Sequence, residues 1–254
     1  MSQRKPLTRP GKSRSKRALT AELVSRCHRD EPDLGLPPEL TQLTDADYED
    51  LAAELLKRRR HGPLWLFAYG SLIWKPAFDA VEHCRATAKG WHRAFTMQLT
   101  RWRGSPQQPG LMMVLEPGGS CTGVAYRLPD EDHHGQMVRL LKRETASKEG
   151  AHAVRWITIE TPHGKAQALS FWTGIKGPFR VEKQDHRRVA AILARACGHI
   201  GSGAEYLFHT VTKLEEHGIR DRNLWQLQHL VAEEIERLDI EGGKTASCHG
   251  VAEE

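Results

Sequence analysis

A carboxylate that could transfer protons stands at the end of the segment QMVRLLKRE, as Glu144. Three apolar residues, Met137, Leu140 and Leu141, precede it by seven, four and three positions, so a helix would place all four on one face. A carboxylate against an apolar surface has its pKa raised toward the range that a general acid/base requires. A helix-terminal glutamate paired with a nearby base would show the same spacing. We expect the bases of this helix to point elsewhere: Arg139, Lys142 and Arg143.

The segment WLFAYGSLIWKP, residues 65–76, starts as a buried strand, breaks at Tyr69, Gly70 and Ser71, and turns apolar again at Leu72. A strand that ends in this way exposes consecutive backbone N–H groups, and Gly70 permits either a positive φ or a close approach to the backbone. A carboxylate would accept hydrogen bonds from these amides and from the Ser71 hydroxyl. An ordinary β-turn within a barrel is the alternative interpretation.

Tyr206, in AEYLF near the start of a predicted helix, is either a core aromatic with a satisfied hydroxyl or a donor that faces a ligand. Other patterns are weaker. The fourteen histidines show no metal-ligand spacing, so we predict no metal site. GHIGSGAEY lacks both the lysine of a P-loop and the strand that precedes a dinucleotide fingerprint, and no GxSxG offers a serine nucleophile.

The net charge of +5 is concentrated at the N-terminus. The first twenty residues contain no acid and seven bases: Arg4, Lys5, Arg9, Lys12, Arg14, Lys16 and Arg17. Such a tail can bind nucleic acid or an anionic membrane, but we predict a solvated, disordered arm with no nucleic-acid partner. A mitochondrial transit peptide is an alternative, although MSQRKPLTRPGKSR has few apolar residues for an amphipathic helix.

Nothing in the chain indicates a membrane partner or an export signal. No stretch has the ~18 consecutive apolar residues of a membrane-spanning helix, and the N-terminus lacks the apolar centre of a secretory signal. The five cysteines are odd in number and have no CxxC spacing, which argues against a disulfide framework and a zinc site. We therefore predict a cytoplasmic protein, and no pattern indicates an oligomeric state.

Composition divides the chain into four parts. Residues 1–45 are predicted to be a basic, disordered tail and linker, because prolines interrupt PDLGLPPEL. Residues 46–62 are predicted to be a helix that leads into the domain, with Thr44 as its N-cap. Residues 63–240 form the folded domain, and residues 241–254 a flexible C-terminus.

The domain is predicted to be α+β, with a small barrel or bent mixed sheet flanked by helices. The strand patterns FTMQL, GLMMVLE, CTGVAYRL, AVRWITIE and AQALSFW are separated by turn residues, including Pro117, Gly118 and Gly119 and the hairpin TPHGK. Helices are predicted at about Asp132–Thr145, Asp185–Cys197, Ala204–His217 and Asp221–Leu238. Gly198 and Gly218 are predicted to end two of them.

Several motifs together resemble one family. FAYGSLIWKPAFD is similar to the signature YGSLIW segment of the ChaC-type γ-glutamylcyclotransferases. RWRGSPQQPGLMMVLEPGGSCTGVAYRL, KRE, GAEYLF and LEEHGIRDRNLWQLQHLV follow in the family's order, so that the resemblance covers about Leu64 to Leu238. It implies a small β-barrel flanked by helices, and a cofactor-free cleavage of glutathione into 5-oxoproline and cysteinylglycine.

The resemblance also implies the roles of particular residues. The family's catalytic glutamate corresponds to Glu144, which would act as the general acid/base. The residues implied to bind the γ-glutamyl group are Tyr69, Gly70, Ser71, Leu72 and Tyr206. Loop N–H groups could bind the α-carboxylate, the developing oxyanion or each in part.

The chain departs from the family pattern after the Arg-Glu pair. Family members commonly continue as KGGY, whereas this chain reads TASKEGAH, which bears on the lid over the site and on substrate choice. The departure leaves Glu149 as a second candidate carboxylate. Two alternatives to glutathione cleavage stay open: the same lactam-forming reaction on another γ-glutamyl amine or amino acid, and a non-catalytic γ-glutamyl-binding regulator of the cation-transport type.

Overall fold

The computed structural model describes residues 18–60, 62–172, 174 and 179–248. Its main sheet contains the strands β1 (Trp65–Ala68), β2 (Glu82–Leu99), β3 (Gly110–Arg127), β4 (Val154–Thr161) and β5 (Gly164–Phe171). They form a closed barrel in the order β1, β3, β2, β4, β5. β1 pairs antiparallel with β3 and parallel with β5, which closes the barrel. The predicted small barrel in an α+β fold is confirmed.

The hairpin of β2 and β3 is longer than the sequence predicted. The turn expected at Pro117, Gly118 and Gly119 is absent, because these residues continue β3. The register shifts opposite them, between Lys89 and Trp91. Gly118 and Gly119 have φ values of +99° and +72°, which lets the strand absorb the shift as a β-bulge. The hairpin predicted at TPHGK is present between β4 and β5.

Two packed helices, one before β1 and one between β3 and β4, position Glu144. Helix α2 (Asp45–Lys57) starts at the predicted N-cap Thr44, which forms a capping box with Asp47. Helix α4 (His133–Glu144) packs against it and matches the prediction within one residue at each end. The apolar face of α4 is buried as expected: Met137, Leu140 and Leu141 are at most 1% exposed.

The C-terminal part is helical, as predicted. It contains α5 (His186–Arg195), α6 (Gly203–Glu216) and α7 (Arg222–Cys248). Gly218 follows α6 with φ of +69°, as expected of a C-terminal glycine. Gly198 instead lies in a two-residue strand, β6 (Cys197–Gly198), which pairs with β7 (Gly201–Ser202).

The helix α7 also reaches further than the sequence indicated. It continues to Cys248, although a flexible C-terminus was predicted from residue 241. Residues 249–254 of that predicted segment lie outside the described residues.

The prediction of a disordered tail and linker over residues 1–45 does not hold for residues 18–25, whereas residues 26–43 lead to α2 without a helix, as a linker would. A short helix, α1 (Ala21–Ser25), buries Leu23 and Val24 in the core. The backbone N–H groups of Ala18 and Leu19 both donate to Gln228 Oε1 of α7, at 2.9 and 2.8 Å. Contacts with the rest of the domain hold this segment in place. A five-residue helix is too short to be recognised from its sequence, because its stability comes from these contacts. Residues 1–17, which carry the basic cluster, lie outside the described residues.

The helices described between residues 18 and 248 include none that is both long enough and apolar enough to cross a membrane.

Candidate active site

One cavity of about 710 Å³ brings together Glu144 and the residues that the family resemblance implied for binding, but not the second candidate carboxylate, Glu149. The loop after β1, the end of α4 and the first turn of α6 converge on it. The nominated residues in its lining are Tyr69, Gly70, Ser71, Leu72, Glu144 and Tyr206. Another cavity, of about 650 Å³, lies between the segment that follows α1, the end of α5 and α7, and it contains none of them. The site is therefore assembled from three segments that lie far apart in sequence.

The loop after β1 turns at Tyr69 and Gly70 into a single helical turn, α3 (Ser71–Trp74). Gly70 has φ of −144°, so the positive φ that the sequence left open is not used. Close approach explains the glycine instead, since a Cβ here would lie 2.7 Å from Tyr206 Oη. The group that approaches the Gly70 backbone is the Tyr206 side chain of the protein, and not a ligand. Gly70 thus lets the loop lie directly against Tyr206.

Arg93 on β2 fixes this loop from behind. Its side chain is 3% exposed, and its Nε donates to the carbonyl oxygen of Tyr69 at 2.8 Å. Its Nη2 donates to the carbonyl oxygen of Thr122 at 2.6 Å, and its Nη1 pairs with Asp221 at 2.9 Å. The sequence analysis missed Arg93, although an arginine inside the apolar strand pattern RAFTMQL was a signal for a buried, paired charge.

Both tyrosines of the site remain neutral phenols at ordinary pH. Burial raises the pKa of Tyr69 well above its usual value, and its hydroxyl donates to the carbonyl oxygen of Phe171 at 2.8 Å. Tyr206 is 2% exposed, and burial together with the nearby Glu144 charge raises its pKa as well. The Ser71 backbone hydrogen-bonds to the Tyr206 oxygen. Tyr206 is therefore attached to the loop that Gly70 allows to approach it.

Glu144 is the last residue of α4, and its side chain is 19% exposed. Burial raises the pKa of its carboxyl group, and Arg143 opposes that rise. The expectation that Arg143 points elsewhere is wrong: its Nη1 lies 2.7 Å from Glu144 Oε1. The chain leaves the helix at Thr145, with φ of −133° and ψ of 108°, so neighbouring side chains at this end can meet. Glu144 is therefore both turned toward the cavity and paired.

Glu149, the second candidate carboxylate, belongs elsewhere. Its Oε2 accepts a hydrogen bond from the backbone N–H of Thr41 at 3.0 Å. Backbone hydrogen bonds, including that one, lower the pKa of Glu149. It does not line the cavity of Glu144. Its low pKa and its backbone partners indicate that Glu149 holds the segment around Thr41 in place and does not carry protons.

Arg103 is a further charged residue in the cavity wall that the sequence analysis missed. Its Nη1 donates to Glu205 Oε2 at 2.6 Å and to the carbonyl oxygen of Ser202 at 2.8 Å. Its guanidinium carbon lies 5.7 Å from the ring centre of Tyr206 and 5.6 Å from that of Trp74. The positive charge opposes the rise in the pKa of Tyr206.

Across the described part of the chain, no group of three or more His, Cys, Asp or Glu side chains is placed to hold a metal ion. The ionisable groups in the cavity lining are one carboxylate, two phenols, three arginines and two lysines: Glu144, Tyr69, Tyr206, Arg101, Arg103, Arg143, Lys75 and Lys142.

A small closed barrel whose first strand ends in a loop facing a buried carboxylate defines the γ-glutamylcyclotransferase type of fold and site that the motifs resemble. Residues 64–234 match the family described as "ChaC-like protein", and the chain belongs to this family. Residues 18–63 of the structure precede the match.

Two curated relatives share the chain's sequence over most of its length. The glutathione-specific gamma-glutamylcyclotransferase of Escherichia coli (strain K12) is 40% identical over 178 residues, which are 68% of this chain and 75% of that protein. Gamma-glutamylcyclotransferase 2-3 of Arabidopsis thaliana is 30% identical over 199 residues, 70% of this chain and 94% of that protein. The predicted family is therefore confirmed.

A solved structure supports the fold. The crystal structure of a selenomethionine-labelled γ-glutamyl cyclotransferase specific to glutathione, from yeast, superimposes with a TM-score of 0.62 at 20% identity. The match covers 68% of this chain and 97% of the yeast chain. At this identity the likeness establishes the fold alone.

Proposed function

We propose that this protein is a γ-glutamylcyclotransferase that cleaves glutathione into 5-oxoproline and cysteinylglycine. The observation that carries the proposal is the cavity in which the half-buried Glu144 carboxylate and the loop of residues 69–72 lie together. The names of the relatives in Escherichia coli and Arabidopsis support the same reaction class.

The reaction is intramolecular. In a γ-glutamyl peptide the free α-amine and the γ-carbonyl belong to one residue, so the amine nitrogen can attack the carbonyl carbon and close a five-membered lactam. The new C–N bond replaces the bond to the cysteinyl nitrogen, which leaves with a proton. This exchange of one C–N bond for another needs no water, metal or protein nucleophile. Holding the folded-back conformer lowers the barrier by several kcal/mol, because the reacting atoms are already adjacent.

Glu144 is the proposed proton carrier. Its carboxylate accepts a proton from the substrate ammonium and returns one to the departing nitrogen, so that it is unchanged after each turnover. The attacking nitrogen loses a second proton as the lactam forms, and the released amine of cysteinylglycine takes it up. Burial raises its pKa, which brings the acidity of the carboxyl group closer to that of the groups it serves. The ion pair with Arg143 keeps the carboxylate ionised and therefore able to accept the first proton.

The loop after β1 and Tyr206 are proposed to hold the γ-glutamyl group. Backbone N–H groups of the loop and the Ser71 hydroxyl can donate to the α-carboxylate or to the oxyanion that develops on the γ-carbonyl. Tyr206 remains protonated, so its hydroxyl can donate as well. Arg93 supports this arrangement from outside the cavity, since it holds the Tyr69 carbonyl.

The same chemistry on another γ-glutamyl amine or amino acid is the second candidate, because the ring-closing atoms are common to all such compounds. A non-catalytic γ-glutamyl-binding protein is the third. A pure binding site would gain nothing from an unpaired interior carboxylate, but Glu144 is paired with Arg143, so the carboxylate alone does not separate the enzyme from the binding protein. Turnover does.

We also propose a cytoplasmic location. The described cysteines, at positions 27, 84, 121 and 197, are free thiols. Free thiols persist in a reducing compartment.

The test is to incubate the purified protein with glutathione and to follow 5-oxoproline and cysteinylglycine by mass spectrometry. The wild type should form both products in equal amounts, Glu144→Gln should form almost none, and Glu149→Gln should behave as the wild type. Products from Glu144→Gln at the wild-type rate would refute the role of Glu144. Absence of products with glutathione, but not with other γ-glutamyl compounds, would favour the second candidate.

A further inference from the structure

A segment that precedes the family match contributes to the wall of the cavity. We call residues Asp33–Gln42 the strap. It lies between α1 and α2, and the family match begins only at residue 64. Leu36, Pro37 and Leu40 of the strap line the same cavity as Glu144. The barrel and the helices of the matched region therefore do not enclose this cavity alone.

Each end of the strap is bound to the domain. At its first end, Asp33 accepts two hydrogen bonds from Arg101, from Nε at 2.7 Å and from Nη2 at 2.8 Å. His199 Nε2 lies 3.6 Å from the same carboxylate. These contacts lower the pKa of Asp33, the Arg101 hydrogen bond most of all. Arg101 itself lines the cavity, so this end is fixed at the cavity edge.

At its second end, the strap pairs with the segment that directly follows Glu144. Gln42 and Ser147 form an isolated antiparallel bridge. The Lys148 N–H donates to the Thr41 carbonyl oxygen at 2.8 Å, and the Thr41 N–H donates back to Glu149 Oε2 at 3.0 Å. These partners belong to TASKEGAH, the stretch in which the sequence departs from the family pattern.

Between its ends the strap divides its side chains between the cavity and the solvent. Leu36, Pro37 and Leu40 are half-buried and line the cavity, whereas Leu34 is 66% exposed. The strap thus gives the cavity an apolar patch. The loop after β1 and Glu144 are separate parts of the lining, so the two parts of a bound substrate can be recognised by different elements.

We propose that the strap is a specificity-determining wall, which contacts the part of the substrate beyond the γ-glutamyl group. The inference rests on the proposed function. The γ-glutamyl group must lie at Glu144 and the loop after β1, because ring closure occurs there. The leaving amine then occupies the remaining cavity, where the side chains of Leu36 and Leu40 contact it. Apolar contacts reward a leaving group in proportion to the apolar surface that it buries.

The experiment compares Leu36→Ala/Leu40→Ala with Leu34→Ala as the matched control. Turnover is measured with glutathione, whose leaving group is a dipeptide, and with γ-glutamylalanine, whose leaving group is one small residue. We expect the double variant to raise KM for glutathione by about tenfold and KM for γ-glutamylalanine by less than about threefold. Leu34→Ala should change neither value. Circular dichroism and thermal unfolding confirm that each variant is folded.

A second measurement separates this proposal from the proposed function. Calorimetry of glutathione binding is performed in the Glu144→Gln background, where the substrate is not consumed. The strap double variant should bind glutathione about tenfold more weakly than the parent, and Leu34→Ala should bind it equally. If the wild type is inactive but the parent binds glutathione more tightly than the strap double variant, only the proposed function is refuted. Equal binding by parent and double variant, equal loss for both substrates, or no binding by any variant would overturn the strap proposal.

Discussion

Replacing Gly70 with alanine tests how closely the loop after β1 and Tyr206 fit together. The new Cβ would lie 2.7 Å from Tyr206 Oη and 3.3 Å from Met113 Cε. The Tyr206 ring is 2% exposed and lies 6.1 Å from the Trp74 ring and 6.3 Å from the Phe95 ring, so it cannot turn away without displacing them. Overpacking of this kind destabilises a protein by about 1–3 kcal/mol. We therefore expect the free energy of unfolding to fall by about 2 kcal/mol.

Tyr206→Phe separates the steric effect from other effects of the substitution. Alone, it removes the oxygen to which the Ser71 backbone hydrogen-bonds, and an unpaired buried donor costs about 1–3 kcal/mol. In the double variant Gly70→Ala/Tyr206→Phe, the atom that collides with the new Cβ is absent. The double variant should therefore lose about 1–2 kcal/mol less stability than the sum of the single variants.

The assay is urea unfolding of the wild type, the two single variants and the double variant, followed by tryptophan fluorescence. Gly150→Ala is the matched control, because the nearest atom to its Cβ is 3.6 Å away, an ordinary contact. In parallel, KM for glutathione should rise in Gly70→Ala, since the loop can no longer lie against Tyr206. Strictly additive destabilisation by the two substitutions would refute the close-approach explanation of the glycine.

Three further predictions concern the surroundings of the site. Arg93→Met should destabilise the protein by about 3 kcal/mol in urea unfolding and raise KM, because it removes the cation that pairs with the Asp221 carboxylate and donates to the carbonyl groups of Tyr69 and Thr122. The exposed Arg85→Met on the same strand should do neither. Arg143→Gln should move the acid limb of the pH profile of kcat/KM to higher pH, since removing the cation raises the pKa of the adjacent carboxylate further; an unchanged limb would contradict this. Deletion of residues 1–17 should leave kcat/KM unchanged, while deletion of residues 1–43 should lower Tm by several degrees, because it removes the buried side chains of Leu19, Leu23 and Val24.

The parts of the site that follow local rules were accessible from the sequence. Spacing placed Glu144 on the buried face of α4, and the break in the apolar run after β1 located the loop. Both patterns depend on residues within one or two helical turns or one strand, for which periodicity is a direct signal. Family resemblance then joined these segments and Tyr206 into one site before any contact was known.

The contacts that hold the site together were not accessible, because they depend on residues far apart in sequence. Arg93 reaches Asp221 across 128 positions, and Arg103 reaches Glu205 across 102. No local pattern pairs such residues. The prolines correctly excluded a helix around Pro37, but the burial of one side of that segment depends on a cavity that forms only in the folded domain. Composition therefore described the segment as a linker.

The ionisable groups of the cavity shift each other's pKa values, and these shifts are consistent with the roles proposed for them. Burial raises the pKa values of Glu144, Tyr69 and Tyr206, and a negative charge on Glu144 raises those of the two tyrosines further. The two tyrosines therefore stay protonated, and the carboxyl group, which has the lowest intrinsic pKa and the adjacent Arg143, ionises most readily of the three. The cavity then offers one base between two neutral phenols. Ring closure requires the same combination: one acceptor for the ammonium proton, beside donors that remain protonated throughout.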